Sequence, residues 1–283
     1  MNDSNIYIST LAFLGRTPQQ IVDIAIENNF NLEFSSGLPF HENMEQFFME
    51  APIQNKLPHN YFPAPKTPFV LNLASDNEVL RTASINHCIK GIKLAKAVNA
   101  PFFSAHAGFC IDPKPSELGQ KINYNAGFDK SKHWELFFDS LLSILEVANQ
   151  YKVDFLIENN VIAPFNFVDN VNPLLCCDSE EIDYLFKNIT DERLFLLLDT
   201  AHLKVSCNTL KRDLKTEFNK LKIYIKALHH SNNDGLKDTN ELLSEDYWFL
   251  PFLSEFKNIV NVIEVKNISV EEIEQQIKIL KNE

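Results

Sequence analysis

DFLIENN (154–160), LFLLLDTAH (194–202), YIKALHH (224–230) and NVIEVKN (261–267) are four apolar runs, each carrying a carboxylate or an imidazole at its end. A short apolar run bounded in this way reads as a buried strand. Glu158, Asp199, His229 and Glu264 have no packing reason to stand at such ends. The segments between the runs are long enough to hold a helix, so the strands read as parallel members of one α/β barrel. Active sites of that architecture sit where the strand C-termini converge. Three carboxylates brought together there repel one another unless a cation holds them. A set of Glu, Asp, His and Glu suits Mn²⁺, Mg²⁺, Co²⁺ or Zn²⁺. The four runs therefore point to a divalent metal site at the mouth of a barrel.

Working outward from these runs, the remaining chain supplies the rest of the barrel. Strands are expected at 5–10, 31–35, 57–62, 102–106, 153–158, 194–199, 223–229 and 261–264, which makes eight. Helical patterns separate most of them. Thr17 and Pro18 open QQIVDIAIENN as cap and first-turn proline. Apolar spacing predicts helices over 77–98 and 134–151, a capped start over 179–188, and a last helix over 269–280 with Ser269 and Glu272 as a capping box. The chain has 283 residues, which matches a single (β/α)₈ barrel of about 250 residues with loop insertions. No repeat or linker divides it, so residues 1–283 read as one domain. Two long loops, 110–129 and 161–178, leave the C-terminal ends of the fourth and fifth strands, where pocket walls are built.

Composition excludes several classes of function. Seven Gly and no GxGxxG or GxxxxGK[ST] argue against a phosphate-loop protein. The net charge is −12, and the only arginines are Arg16, Arg81, Arg193 and Arg212, which argues against a nucleic-acid partner. Five cysteines, an odd count without CxxC spacing, read as scattered reduced thiols. MNDSNIYIST has neither a basic leader nor a long apolar stretch, and no run approaches about 18 apolar residues. The expectation is a cytoplasmic protein with no membrane span.

A series of words in order then carries a family resemblance. LEFSSG, LPHNYFP, LNLAS, SAHAGF, LIENN, LLLDTAH, HHSNNDG, KDTN and VIEVKN span most of the chain. Together they resemble the xylose isomerase-like TIM barrel superfamily, which holds sugar isomerases and epimerases and the endonuclease IV type of apurinic endonuclease. The resemblance implies that Glu158, Asp199, His229 and Glu264 are metal ligands, with Glu158 and Glu264 also the acid/base pair. It implies proton transfer next to the carbonyl of a small sugar or sugar derivative, through a metal-bound enediolate. His59 and His106 match two further histidines that either bind an additional metal or line the pocket. His202, in DTAH, either touches substrate or binds an extra metal.

The residues also speak to the branch. The nuclease pattern has Asp-x-His where this chain has Asp238-Thr239-Asn240, and neutral Asn240 is a poor zinc ligand. Asn232 likewise replaces an expected Asp. A sugar isomerase or epimerase is therefore expected, with a metal-dependent phosphodiesterase acting on abasic DNA as the alternative. Asp238, Asn240, His202 and Lys266 are expected to contact substrate, Lys266 because it stands two residues after Glu264 and so shares its strand face. His229 and His230 point to opposite sides of a strand, and the resemblance implies that His229 is the inward one. Glu33, ending the second strand, is expected to orient a group in the pocket.

Overall fold

The computed structural model describes residues 5–35, 37–124 and 127–282. The first four residues of the leader reading, Ser36 of LEFSSG, and residues 125–126 of the first long loop lie outside this set. Eight parallel strands form one sheet: β1 (Ile6–Ser9), β2 (Asn31–Phe34), β3 (Lys56–Pro58), β4 (Phe102–His106), β5 (Asp154–Glu158), β6 (Leu194–Asp199), β7 (Ile225–His230) and β8 (Val260–Ile263). Their order is β3-β2-β1-β8-β7-β6-β5-β4. The outer members meet through a single parallel bridge between His59 and Ser104, which nearly closes the sheet into a barrel. Around it run α1 (Pro18–Glu27), α2 (Met44–Glu50), α3 (Glu78–Ala97), α4 (Lys130–Tyr151), α5 (Ser179–Asn188), α6 (Thr200–Leu210), α7 (Leu214–Leu221) and α8 (Val270–Lys281). The fold is the TIM barrel that the apolar runs predict.

Sequence and structure agree most closely where an apolar run is sharply bounded. β4 and β6 have the expected ends, and α5 does too. Asp178 caps α5 by accepting from the Glu181 N–H. Thr17 and Gln20 form a capping box on α1, and Ser269 and Glu272 form one on α8. β3 is shorter than expected: it stops at Pro58, and Asn60 adopts a left-handed φ of 43° that turns the chain. β7 starts later because residues Lys222–Tyr224 wind into a 3₁₀ turn, and it extends to His230. β8 ends at Ile263 rather than at Glu264, although the Glu264 N–H still donates to the His230 carbonyl at 3.0 Å.

Register places the chemistry on one rim. His106 pairs beside Glu158, and Asp199 beside His229. Ser9 stands beside Glu33. Strand alternation turns Leu156, Leu197, Ala227 and Val262 into the barrel interior below, and all four are fully buried; Phe155, Ile157, Leu196, Leu198 and Leu228 face the helix layer instead. Outside, α3 lies so close to β4 that a Cβ on Gly91 would come within 2.2 Å of the Phe103 ring, so only glycine fits there. All five cysteines are buried and unpaired. Among the described residues no helix is long and apolar enough to cross a membrane.

Candidate metal and active site

Six strand ends and the loop after β3 deliver seven titratable side chains to the rim. Glu33 is the penultimate residue of β2, His59 follows β3, and His106, Glu158 and Asp199 end β4, β5 and β6. His229 is the penultimate residue of β7, and Glu264 directly follows β8. Glu33, Asp199 and His229 are completely buried, with Glu158 and His59 nearly so. Glu158, Asp199, His229 and Glu264 each offer a ligand atom within 4.8 Å of the others. The same holds for His59, His106 and Glu158, and for Glu33, His59, His229 and Glu264. Ligand bonds of about 2.0–2.3 Å put atoms on opposite sides of one metal about 4–4.6 Å apart, so each set has the span of a single ion.

His229 ties the cluster together. Its Nδ1 lies 3.0 Å from Glu264 Oε2 and 3.5 Å from Glu158 Oε1, while its Nε2 lies 3.0 Å from Glu33 Oε2. Glu158 faces three further rings: His59 Nε2 at 3.2 Å, His106 Nε2 at 3.6 Å and His202 Nδ1 at 3.6 Å. The side chain of Asp199 caps its own following helix, α6, by accepting from the His202 N–H at 2.7 Å. His202 in turn sits against Asp238, with Nε2 to Oδ2 at 3.3 Å. His230 points the other way, into the outer layer, where its ring meets Tyr247 Oη and Asn261 Oδ1, each at 2.8 Å.

Electrostatics divide the cluster into charged and neutral members. Burial opposes ionisation of Glu158, but the His106, His229 and His59 rings outweigh it and hold its carboxyl well below the usual range. Glu264 is also held low, its burial overcome by His229. Burial lowers His229 less than the Glu33, Glu264 and Glu158 carboxylates raise it, so it sits well above the ordinary value. His202 is raised in the same way by Asp199 and Asp238 against its burial. Burial pushes Asp199 up to about 7, with His202 opposing, and burial pushes His106 down to about 4. Such opposed shifts crowded into one cleft are a mark of functional sites.

The donor set fits a divalent cation. Glu33 Oε1, Glu158 Oε2, Asp199 Oδ2, Asp238 Oδ1 and His106 Nδ1 are buried without a hydrogen-bond partner. Leaving a buried polar atom unsatisfied costs about 1–3 kcal/mol, more when it is charged. Four of these orphans are carboxylate oxygens, the atoms a hard or borderline cation seeks.

A cavity of about 350 Å³ opens beside this cluster, and His106, His202 and Asp238 form its polar end. Both long loops line it, through Leu118 and Ile122 on one and Phe165 and Leu174 on the other. The segment after β3 lines it as well, through Tyr61 and Phe69, a wall that sequence reading missed. Its aromatic and Pro-rich composition, LPHNYFPAPKTPFV, was the available signal. Two expected substrate contacts lie elsewhere. Lys266 is exposed and absent from the cavity lining, because β8 ends at Ile263 and the shared-face argument lapses beyond it. Asn240 has a left-handed φ of 50°, and its backbone carbonyl accepts from the Lys266 N–H at 2.9 Å. Its side chain is likewise absent from the lining. Asn232 is held away from the cluster by Lys204 and Ser244.

Comparison with known proteins identifies the fold and the family. Curated proteins give no match. Among solved structures, a D-tagatose 3-epimerase-like protein superposes with a TM-score of 0.74 at 21% identity, covering 98% of this chain and 96% of that one. The D-psicose 3-epimerase of Clostridium cellulolyticum, solved with D-tagatose, gives 0.67 at 15% identity over 98% and 97%. A Thermus thermophilus protein soaked with ZnCl₂ gives 0.66 at 14% identity over 99% of each chain. At these identities the likeness is one of fold. Residues 42–282 match the sequence profile described as xylose isomerase-like TIM barrel, so the chain belongs to that family.

Proposed function

We propose that this chain is a divalent-metal-dependent sugar isomerase or epimerase. The observation that carries the reading is the pair Glu158 and Glu264. They stand on strands three places apart around the barrel, with ligand atoms within 4.8 Å of a shared set and both carboxyls held ionised. Glu158, Asp199, His229 and Glu264 would hold the cation. Bound there, it would supply a Lewis acid that polarises the sugar carbonyl and stabilises negative charge on its oxygen.

The chain's own residues do the rest. Glu33 accepts from His229 Nε2, which fixes the ring and leaves Nδ1 facing Glu158 and Glu264. An ionised carboxylate beside the carbon next to the carbonyl would accept its proton; the other, after taking up a proton from solvent, would return one from its own side, and the first would then release its proton to solvent. His202 is held through Nδ1 by the Asn159 carbonyl and through Nε2 by Asp238, and Asp238 Oδ1, buried without a partner beside the cavity, can accept from a substrate hydroxyl. Glu33, Asp199, His229 and Glu158 are buried, and low dielectric around them strengthens each of these contacts. His59 and His106 would hold a second ion with Glu158, or, without one, bracket that carboxylate.

The second set also favours a second reading, a metal-dependent phosphodiesterase acting on abasic DNA. Against it stand the net charge of −12 and Asn240 in place of a third-site histidine. The test is incubation of metal-loaded protein with ketoses, aldoses and their phosphates in deuterated water. Solvent deuterium should appear at the carbon beside the carbonyl. Abasic-site DNA cleaved in a metal-dependent way, with no exchange into any sugar, would replace the first reading by the second.

A further inference from the structure

The cavity beside the rim asks for more than a bare sugar. Its walls carry Tyr61, Phe69, Phe109, Leu118, Ile122 and Phe165. Asn160, Asn166 and Tyr61, which border it, are already engaged. Asn160 Nδ2 donates to the carbonyls of Ala107, Gly108 and Leu175. Asn166 accepts from the Ile122 N–H at 2.9 Å and donates to the Gln120 carbonyl at 3.0 Å. The Tyr61 hydroxyl accepts from the Phe69 N–H at 2.6 Å. The unpartnered polar side-chain atoms on its lining are His106 Nδ1, Asp238 Oδ1 and Asn60 Oδ1, belonging to the rim or, for Asn60, to the residue after His59. A sugar presents a hydroxyl on nearly every carbon, and each one buried without a partner is a loss. The polar end can serve the reacting part of such a molecule, and the far walls cannot serve the rest.

The walls are well built for a ring. Tyr61 and Phe69 meet edge to face, with centroids 5.6 Å apart and planes at 69°. Aromatic guests favour this mixture of ring edges and faces. The roof is fastened as well: Asn166 joins the two long loops, and the Tyr124 hydroxyl donates to the Asn166 carbonyl at 2.9 Å. At about 350 Å³ the cavity lies within the range of roughly 300–1,000 Å³ typical of ligand pockets.

We propose that the substrate is a sugar derivative carrying an aryl group at the end remote from its carbonyl, and that this cavity holds the aryl group. The proposal rests on the isomerase or epimerase reading for the sugar end, while the aryl subsite has its own measurement. Matched 6-O-benzyl and 6-O-methyl derivatives of one ketohexose are titrated calorimetrically into protein loaded with Mn²⁺. The benzyl compound should bind at least tenfold more tightly, the effect of removing one ring from water. Leu118→Asp, at a half-exposed rim position, and Phe165→Ala should each reduce that ratio to near one. Circular dichroism reports whether each variant is folded, and either one suffices. Equal affinities, or a ratio unchanged in a folded variant, would overturn the aryl subsite. Deuterium exchange is read separately on the same compounds. Exchange without benzyl preference removes the subsite and leaves the reaction standing. Benzyl preference without exchange removes the reaction and leaves the subsite standing.

Discussion

His229 and His230 are neighbours on β7, yet they belong to two different regions of the molecule. His229 enters the rim, where Glu33, Glu158 and Glu264 surround it within 3.5 Å and raise it far above the ordinary imidazole value. His230 enters the layer between barrel and helices, where its partners are the neutral Tyr247 and Asn261. Burial pushes it down to about 4. His87, on α3 against Tyr61 and Phe69, lives under the outer rule too and also falls to about 4. Burial is nearly complete at all three positions, so burial alone does not decide the charge. At His229 three carboxylates decide it and make the imidazole a cation or a ligand; His106, with one carboxylate and the His202 and His59 rings beside it, stays low, and neutral partners leave His230 a hydrogen-bonded spacer.

The most damaging substitution should therefore be one at the rim that leaves the outer layer alone. Glu264→Gln keeps shape and removes charge. Its activity should fall at least 10²-fold, the lower end of what general acid–base catalysis contributes. Thermal unfolding should move little, since the side chain's hydrogen bond is to His229 within the rim and not to the core. A folded Glu264→Gln protein with full turnover would break the division between the regions. Next in size is metal retention. Glu158→Gln and His229→Ala should each lose most of the bound ion on dialysis, checked by elemental analysis against the parent. Retention should also weaken at acid pH, where protons compete for carboxylate and imidazole. Unchanged metal content in both variants would reject the ligand assignment.

How much of this was readable from residues depended on how local the cause was. β4 and β6 were legible to their ends because apolar runs there stop abruptly at His106 and Asp199. Strand alternation on β7 showed that His229 and His230 oppose each other, and the choice of His229 as the inward one came from the family resemblance. α6 was not legible: TAHLKVSCNTL is poor in strong helix formers, and its N-cap is Asp199, a residue already assigned to chemistry. Lys266 was misplaced because strand periodicity was extended past the last ladder residue, Ile263. The two long loops were expected to wall the pocket and do line it, but their mutual fastening was illegible because it depends on contacts such as Ile122 with Asn166, 44 residues apart, inside loops without a period. Sequence reading finds what a single element dictates and misses fastenings that several loops share.

The outer histidine provides the contrasting substitution. His230→Leu removes the partner of Asn261 Oδ1, while Tyr247 keeps its contact with Thr200 Oγ1 at 2.6 Å. Stability should fall by about 1–3 kcal/mol, the cost of a buried polar atom left unpaired. Metal content should stay at the parent level. Urea unfolding and elemental analysis on one preparation separate the two effects. Ion loss as complete as in His229→Ala would erase the distinction between the two faces of β7.

The smallest expected effect concerns pH and isolates the outer rule at His87, away from the rim. Burial lowers this ring to about 4, with the Lys90 charge assisting, while the unfolded chain protonates it near 6.5. In that interval the unfolded state binds more protons than the folded state, so stability rises with pH. The contribution is present above pH 6.5 and is lost as pH falls toward 4. Between pH 7.5 and 5.5 one such group changes stability by about 1 kcal/mol. His87→Phe keeps a ring among Tyr61 and Phe69 but cannot titrate. The Asn60 carbonyl loses its bond to the imidazole, so the variant should be less stable at both pH values. The informative quantity is the slope, because every other titrating group is shared and cancels in the comparison with the parent. Urea unfolding at the two pH values should show the variant losing about 1 kcal/mol less than the parent on acidification. Equal losses would mean that His87 is protonated inside the fold near its ordinary value. Neutral partners would then be insufficient to keep a buried imidazole uncharged, and the contrast between rim and outer layer would rest on His230 alone.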